Sequence, residues 1–277
     1  MYSSGRLGAL AVAAAAILLS SCLAGSVAGC KIATYTGGTG AMIAASILVY
    51  SVFNARIGYN LIVGMILTVS VVDFLKNLLG TERPPEDLWV VTAEGPSFPS
   101  GHAAAAAAFW TLLAYNIRNP YIVLAGALHA ISVALSRPFL WVHWPIDIIG
   151  GGIIGVGVAL LSQAVLARFG PVVVLASSLA LNATSLALSG LNANTALLTG
   201  ITLGMLPTAV MKPQYGSGGI CGLAALIPLP LLLAADSWST ALAAGFAGTL
   251  YIIYYYLLPP GRECIARMYA SKDSSGS

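Results

Sequence analysis

Charge is what this sequence lacks most. Only 8% of its 277 residues are Asp, Glu, Lys or Arg, whereas a soluble domain typically carries about 25% because its surface has to stay hydrated. Hydrophobic residues make up 58% of the chain, and the mean hydropathy is +0.88. The scarcity of charge excludes an ordinary soluble domain, a disordered chain and a nucleic-acid-binding surface. It predicts a chain whose main solvent is lipid.

Cysteine is also scarce, and its spacing excludes the usual structural metal sites. None of the four cysteines forms a C-x-x-C pair with another, the spacing that many zinc sites use. We therefore expect Cys22, Cys30, Cys221 and Cys264 to be small apolar fillers.

Long apolar runs are what the sequence has in quantity. Short breaks rich in Gly, Pro, Asn and Arg separate them, and a membrane-spanning helix needs about 20 apolar residues. The pattern predicts an all-α polytopic membrane helix bundle. Its ten predicted spans are residues 7–29, 40–53, 57–75, 101–117, 121–136, 145–167, 171–191, 193–211, 218–235 and 238–257.

The first apolar run has an alternative interpretation as a signal peptide, because Leu19–Cys22 is similar to a lipoprotein cleavage box. The run continues past Cys22 to Cys30, which is too long for the core of a signal peptide. A membrane span is the favoured interpretation.

The basic residues predict an orientation. With ten spans, eight of the twelve fall on the side of the two termini and four on the other. Because short cytoplasmic loops carry an excess of Lys and Arg, both termini are predicted to be cytoplasmic. The four exceptions, on the predicted outer side, are Lys31, Lys76, Arg83 and Arg137.

The outer side also carries the polar residues that have the chemistry of a site. One long polar loop, residues 76–98, leads into Pro99-Ser100-Gly101-His102 at the start of the fourth span. Long loops in compact proteins are often functional. The next outer loop contains Arg137, His143 and then Asp147.

Several of these groups are suited to binding phosphate. Cations neutralise phosphate oxygens, and arginine does so with paired hydrogen bonds. Free backbone amides at a helix N-terminus also favour an anion, and a serine hydroxyl adds a donor. The predicted phosphate ligands are Lys76, Arg83, Ser100, Gly101 and Arg137.

The histidines and the carboxylate indicate covalent catalysis. His143 and Asp147 are four residues apart, so they meet on one face of a helix that begins near Trp144. The carboxylate then fixes the imidazole tautomer and stabilises its charged form. This predicts His143 as nucleophile and His102 as general acid. Zinc also uses such ligands, but three cations in the same cluster disfavour a divalent metal, and we expect no cofactor.

The complete set resembles the three-part signature of the type 2 phosphatidic acid phosphatase superfamily. The three parts are Lys76-x6-Arg83-Pro84, Pro99-Ser100-Gly101-His102 and Ser136-Arg137-x5-His143-x3-Asp147. The resemblance implies a metal-independent phosphatase with a phosphohistidine intermediate and a six-helix core. It assigns the nucleophile to His143, the orienting carboxylate to Asp147 and the acid to His102.

This resemblance divides the chain into three predicted parts. Residues 1–168 are expected to form the six-helix phosphatase core, residues 169–260 an additional block of about four transmembrane helices, and residues 261–277 a basic cytoplasmic tail. The additional block is a departure from the simplest six-helix members.

The predicted function is that of an integral-membrane phosphatase acting on lipid phosphates or diphosphates. A polyprenyl diphosphate carrier is the first expected substrate, with the active site at the outer face of the cell membrane. The expected partners are the lipid substrate and the bilayer, and no nucleic acid. One alternative is a phosphatase for a soluble sugar phosphate, since glucose-6-phosphatase belongs to the same superfamily.

A second alternative makes the additional block a transport or partner-binding module. Asn182, Asn192, Asn194 and the broken stretch Leu226–Pro230 would then line a path. The competing interpretation is that these helices only pack against the core.

A few residues outside the signature also have predicted roles. We expect His129 to be a satisfied interior histidine, and Asp73 to pair with Lys76 or with a neighbouring helix. Glycines 150–152 and 155 are expected to allow close packing of the sixth span. The apolar stretch Leu88–Val91 is predicted either to rest in the membrane interface or to fold over the site.

Overall fold

A computed structural model describes residues 2–190, 192–211, 239, 241–243 and 245–248. In that part of the chain all regular structure is helical, which confirms the predicted all-α class. The α-helices are α1 (Tyr2–Leu23), α2 (Val27–Gly37), α3 (Thr39–Leu48), α4 (Ala55–Leu79), α5 (Gly101–Ile117), α6 (Pro120–Phe139), α7 (Pro145–Phe169), α8 (Pro171–Ser189) and α9 (Ala193–Met211). A π-helical turn, Val49–Phe53, extends α3.

Five of these helices are long and apolar enough to cross a membrane, namely α1, α4, α6, α7 and α8. Helix α2 and the extended α3 are bent by 55° and form one further candidate span if taken together. Helix α5, with 17 residues, is near the lower limit for a span. The predicted polytopic bundle is confirmed. The predicted ninth span and most of the tenth lie outside the described residues.

The predicted boundaries of the first two spans, 7–29 and 40–53, are wrong. Helix α1 ends at Leu23, and the chain turns at Gly25, whose φ of 77° favours glycine. Ser26 then caps α2 by accepting a hydrogen bond from the Gly29 N–H at 3.2 Å. The second apolar element begins at Val27 and bends at Gly38, where the backbone is extended. Because the turn is built from small and apolar residues, hydropathy does not mark it.

The prediction that the cysteines are unlinked fillers is wrong for one pair. Cys22 and Cys30 form a disulfide, because the turn between α1 and α2 folds the chain back and brings their Cα atoms to 4.8 Å. The pair is buried beside Leu140 and Val142 and beneath Trp89. Cys221 and Cys264 lie outside the described residues.

Helices α5 and α7 pack closely through small residues. A Cβ atom on Gly151 would lie 2.5 Å from the Ser100 carbonyl oxygen, and one on Gly155 would lie 2.3 Å from that of Ala104. The predicted close packing is thus confirmed at these glycines, whereas a Cβ on Gly152 would meet nothing within 4 Å. These contacts hold the second and third turns of α7 against the first turn of α5.

Helices α8 and α9 pack against α4 and share its apolar core. Val63 and Leu67 of α4 lie in one cluster with Leu175 of α8 and with Leu198 and Met205 of α9. This cluster joins residues from both sides of the predicted boundary between the phosphatase core and the additional block, at residue 168. The first half and the middle of α4 are therefore supported from the C-terminal side of the chain.

Candidate active site

One cavity brings together residues from distant parts of the chain. It has a volume of about 330 Å³, and its walls come from α4, the long loop after α4, α5, α6 and the loop between α6 and α7. Six of the eight predicted site residues line it: Lys76, Arg83, Gly101, His102, Arg137 and His143. Thr92, Ala93 and Glu94 complete the lining. Ser100 and Asp147 do not line the cavity and are buried.

The first turn of α7 places His143 and Asp147 together. Pro145 occupies the first turn, where a missing N–H costs nothing. Asp147 accepts a hydrogen bond from the Trp144 N–H at 2.8 Å, which caps the helix. The same oxygen, Oδ2, lies 3.3 Å from His143 Nδ1, and both side chains are only 2% exposed. The predicted pairing at a spacing of four residues is therefore present in the structure.

The other ring nitrogen of His143 faces a cation. Arg83 Nη1 lies 3.1 Å from His143 Nε2, and a guanidinium has no acceptor, so Nε2 must accept this hydrogen bond. In a neutral ring, Nδ1 then carries the proton. Burial lowers the pKa of His143, and the charges of Arg83, Lys76, Arg137 and His102 lower it further. The imidazole is therefore neutral near pH 7, with the Nε2 lone pair at the cavity.

Arg83 also ties the long loop to the loop before α7. Its guanidinium donates to the carbonyl oxygens of Gly95 at 2.8 Å, Glu94 at 2.7 Å and Val142 at 2.6 Å. Burial lowers the pKa of Arg83, and the nearby Asp147 carboxylate opposes this shift. The side chain stays protonated, because arginine does not lose its proton in proteins.

Arg137 is a buried cation with unused hydrogen-bonding capacity. The residue is 3% exposed, and its Nη1 donates to Thr34 Oγ1 at 2.7 Å. Among the described residues its Nε has no hydrogen-bond partner, and the one ion pair found there joins His143 and Asp147. A buried charge without a counter-charge is costly. This arrangement fits a site that takes an anion.

The other cation, Lys76, points from the last turn of α4 towards the long loop. Its Nζ donates to the carbonyl oxygen of Ser97 at 3.2 Å and also contacts that of Pro96. Lys76 therefore holds the stretch of the loop that leads into α5, in addition to lining the cavity.

The N-terminus of α5 completes the cavity. Ser100 is the N-cap, and its hydroxyl accepts from the Ala103 N–H at 3.5 Å. Gly101 and His102 stand in the first turn, where the backbone amides have no partner within the helix. A Cβ on Gly38, at the bend between α2 and α3, would lie 3.2 Å from His102 Nε2. The bend thus lies directly against the predicted general acid.

Comparison with known families and proteins fits this geometry. The family model of the PAP2 superfamily matches residues 58–170. This part of the chain belongs to the PAP2 superfamily. All eight predicted site residues lie within the matched segment, and helices α8 and α9 lie after it.

The chain is also similar to a curated protein. The undecaprenyl-diphosphatase of Sulfolobus acidocaldarius is 29% identical over 113 residues, which are 39% of this chain and 54% of the relative. The chain thus spans about half the length of that relative. No solved structure matches the chain at a significant level.

Two residues of the candidate site are not marked by the three sequence motifs. Ser97 is fully buried and donates from Oγ to Asp147 Oδ2 at 2.5 Å. Thr34, on α2 and outside the matched PAP2 segment, accepts the hydrogen bond of Arg137. Ser97 has a weak sequence signal, because it stands two residues before the Pro99-Ser100-Gly101-His102 motif. Thr34 has no sequence signal, since it lies 103 residues from Arg137 along the chain.

His129, a polar residue within a predicted span, is bonded as predicted. His129 accepts at Nδ1 from Trp110 Nε1 at 3.0 Å, and its Nε2 lies 3.1 Å from Thr36 Oγ1. Since an indole N–H only donates, His129 is neutral with its proton on Nε2. The prediction of a satisfied interior histidine is confirmed.

Asp73 pairs with neighbouring helices. Its Oδ2 accepts from Ser185 Oγ at 2.5 Å and from Thr195 Oγ1 at 2.8 Å. Of the two partners that the sequence left open, the neighbouring helices are the correct one.

The apolar stretch of the long loop packs beside the candidate site. Trp89 Nε1 donates to the Pro84 carbonyl oxygen at 2.8 Å, and the Val90 N–H donates to that of Leu140 at 3.1 Å. Thr92, Ala93 and Glu94, which follow directly, line the cavity. The stretch itself does not line the cavity, so its two predicted roles, at the membrane interface and over the site, stay predictions.

Proposed function

We propose that the chain is an integral-membrane phosphatase that hydrolyses lipid phosphates or diphosphates through a phosphohistidine intermediate. The observation that carries the proposal is the cavity in which His143 Nε2, a hydrogen-bond acceptor, lies beside cations from α4, α6 and the long loop. One of these cations, Arg137, is buried with an unpartnered Nε. A phosphate group supplies the anionic oxygens that such a cavity favours.

The first chemical step transfers the phosphoryl group to the protein. His143 Nε2 attacks phosphorus, and an N–P bond forms as the P–O bond to the leaving group breaks. His102 gives its proton to the leaving oxygen. Asp147, beside Nδ1 at 3.3 Å, stabilises the positive ring, while the three cations stabilise the charge on the equatorial oxygens.

The second step releases inorganic phosphate. A water molecule attacks the phosphohistidine, and His102, now neutral, accepts the proton of that water. The N–P bond breaks, and His143 regains its lone pair. Each residue thus returns to its starting protonation state, and no metal is required for the balance of atoms and charge.

A polyprenyl diphosphate carrier is the first proposed substrate. The relative from Sulfolobus acidocaldarius bears the name of an enzyme for such a diphosphate. The cavity is also formed at the ends of apolar helices, which supports a substrate that presents its headgroup at the membrane surface. A soluble sugar phosphate is the competing class and belongs in the same assay.

We further propose that the cavity faces the outer side of the cell membrane and that both termini are cytoplasmic. The distribution of basic residues supports this orientation. A second support is the Cys22–Cys30 disulfide, which packs beneath the loops of the site. Disulfides persist mainly in oxidising compartments outside the cytoplasm.

The helices after residue 168 are proposed to support the phosphatase core by packing. The apolar cluster that they share with α4 favours this role over a transport path. Asn182, one of the polar residues considered for a path, donates from Nδ2 to Thr202 Oγ1 at 3.4 Å between α8 and α9.

The proposed function is tested by replacing the nucleophile. Purified wild type in detergent should release phosphate from a prenyl diphosphate, and His143→Ala should lose at least about 10³-fold in turnover, because covalent catalysis needs the Nε2 lone pair. Substrate labelled with ³²P should label wild type in an acid-labile, base-stable form and leave His143→Ala unlabelled.

The matched control is His129→Gln, which changes a histidine outside the cavity and should keep wild-type turnover. A sugar phosphate and a lipid monophosphate are assayed in parallel to rank the substrate classes. The proposal fails if wild type releases phosphate from none of them, or if His143→Ala remains as active as wild type.

A further inference from the structure

Ser97 occupies the space between the two residues that carry the proposed covalent step. Its side chain is fully buried. Its Oγ lies 2.5 Å from Asp147 Oδ2 and 3.3 Å from His143 Nδ1. Its backbone is fixed as well, because its N–H donates to the Thr81 carbonyl oxygen at 2.8 Å and its own carbonyl accepts from Lys76.

One oxygen of Asp147 serves three donors in this arrangement. Oδ2 is approached by Ser97 Oγ at 2.5 Å, by the Trp144 N–H at 2.8 Å and by His143 Nδ1 at 3.3 Å. Ser97 therefore makes the shortest of the three contacts and His143 the longest. A carboxylate only accepts, so the single hydroxyl proton of Ser97 is directed at Asp147.

Because that proton is used, Ser97 Oγ can only accept from His143. The Nδ1–H of His143 thus faces two acceptors, the hydroxyl oxygen and the carboxylate, both at 3.3 Å. Two acceptors on one side of the ring hold the tautomer in which Nε2 carries the lone pair.

We propose that Ser97 is a positioning residue that orients the His143 ring and weakens the stabilisation of the charged ring by Asp147. This inference rests on the proposed function, in which Nε2 is the nucleophile. The hydroxyl acts through the His143–Asp147 pair and does not line the cavity, so it is expected to affect the chemical steps and leave substrate binding unchanged.

The hydrogen bond from Ser97 spreads the negative charge of the carboxylate. Without it, Asp147 keeps fewer donors and stabilises the charged imidazole more strongly. The other groups that face His143 stay in place, so their influence on it is unchanged by a substitution at Ser97. They are Arg83 from the long loop, Lys76 from α4, His102 from α5 and Arg137 from α6.

The test is Ser97→Ala in the full chain, assayed with a prenyl diphosphate. We expect kcat to fall about tenfold, the scale of one hydrogen bond to a charged group, while KM stays within about twofold. The acid limb of the pH profile of kcat/KM should move to higher pH. Ser97→Thr keeps the hydroxyl and should recover the wild-type acid limb and part of kcat.

The matched control is Ser178→Ala on α8. Ser178 is also fully buried, but among the described residues its hydroxyl bonds only the Val174 carbonyl oxygen of its own helix, at 2.9 Å. This variant should keep the wild-type kcat and acid limb. The inference is overturned if Ser97→Ala keeps the wild-type kcat, or if kcat falls with the acid limb unmoved, because a purely structural role predicts the latter.

A spectroscopic measurement separates this inference from the proposed function. The ¹⁵N resonances of His143 report its tautomer and pKa without any substrate. A higher His143 pKa in Ser97→Ala supports the positioning role even if wild type hydrolyses no tested phosphate, a result against the proposed function alone. An active wild type whose His143 resonances are the same in Ser97→Ala refutes the positioning role alone. If Ser97→Ala does not fold, Ser97→Cys, a weaker donor of similar size, takes its place with the same expectations.

Discussion

At the scale of single residues, the site is organised by side chains that do not touch the cavity. Asp147 is buried behind His143 and caps α7 at the same time, so one carboxylate determines both where the helix begins and how the imidazole is turned. Ser97 and Thr34 act in the same way on His143 and Arg137. A change to any of these residues is expected to alter the site without removing a ligand.

Thr34 offers a test of how Arg137 is held. Thr34→Val keeps the shape of the side chain but removes the oxygen that accepts from Arg137 Nη1 at 2.7 Å. A buried donor left without its acceptor costs roughly 1–3 kcal/mol, and the guanidinium then adopts other positions. We expect KM to rise about three- to tenfold with a smaller change in kcat, measured by steady-state kinetics on a lipid phosphate.

The control for this substitution is Thr184→Val on α8. Its hydroxyl is exposed and, within the part of the chain that the structure describes, bonds only to the carbonyl oxygen of Ala180 in its own helix. It should leave KM unchanged. An unchanged KM in Thr34→Val as well would mean that Thr34 does not hold Arg137 for substrate.

At the scale of helices, several cavity residues are placed by how a helix begins or ends. Lys76 and Arg137 stand in the last turns of α4 and α6, and His102 in the first turn of α5. The second and third turns of α7 lie close against α5, where a Cβ atom on Gly155 would be 2.3 Å from the Ala104 carbonyl oxygen. The position of these helix ends therefore determines the distances between the charges.

The polar contacts of Asp73 connect α4 with α8 and α9 one turn before Lys76. Ser185 Oγ donates to Asp73 Oδ2 at 2.5 Å, and a carboxylate inside a membrane bundle needs such donors. We expect Ser185→Ala to destabilise the fold by roughly 1–3 kcal/mol, visible as a lower Tm in detergent.

If the cost arises from the carboxylate, it should shrink when Asp73→Asn is introduced together with Ser185→Ala. Ser178→Ala, on the same helix, should keep the wild-type Tm, because in the described ranges the Ser178 hydroxyl bonds only within its own helix. Equal Tm values for Ser185→Ala and Ser178→Ala would contradict a structural role for the contact.

At the scale of the whole molecule, the PAP2 segment is enclosed on both sides by the rest of the chain. Helix α2 contributes Thr34, the α1–α2 turn contributes the disulfide beneath the site loops, and α8 and α9 pack on α4. Residues outside 58–170 are thus part of the environment of the site. The orientation in the membrane is likewise a property of the whole molecule.

The predicted outer location of the cavity can be measured by labelling. Glu94 is exposed and lines the cavity, so Glu94→Cys in a Cys221→Ser, Cys264→Ser background should react with a membrane-impermeant maleimide on intact cells. Arg56→Cys, at the start of α4 and predicted to be cytoplasmic, should react only after the cells are permeabilised. The opposite pattern would reverse the proposed orientation.

The sequence by itself determined the fold class of the protein and predicted its site residues. Scarce charge and long apolar runs require a helical membrane bundle, because lipid offers no partner to an unpaired backbone group. The spacing of the three motifs was enough to name the eight residues that now lie in or directly behind one cavity. These are local properties, readable along the chain.

Only the tertiary structure decided which atoms meet. The turn at Gly25, the Cys22–Cys30 disulfide and the bend at Gly38 lie within apolar sequence, so hydropathy does not mark them. Ser97 reaches Asp147 across 50 residues, and Thr34 reaches Arg137 across 103. Such contacts depend on how helices pack in three dimensions, and a hydroxyl has the same appearance in the sequence whether it faces lipid or a catalytic carboxylate.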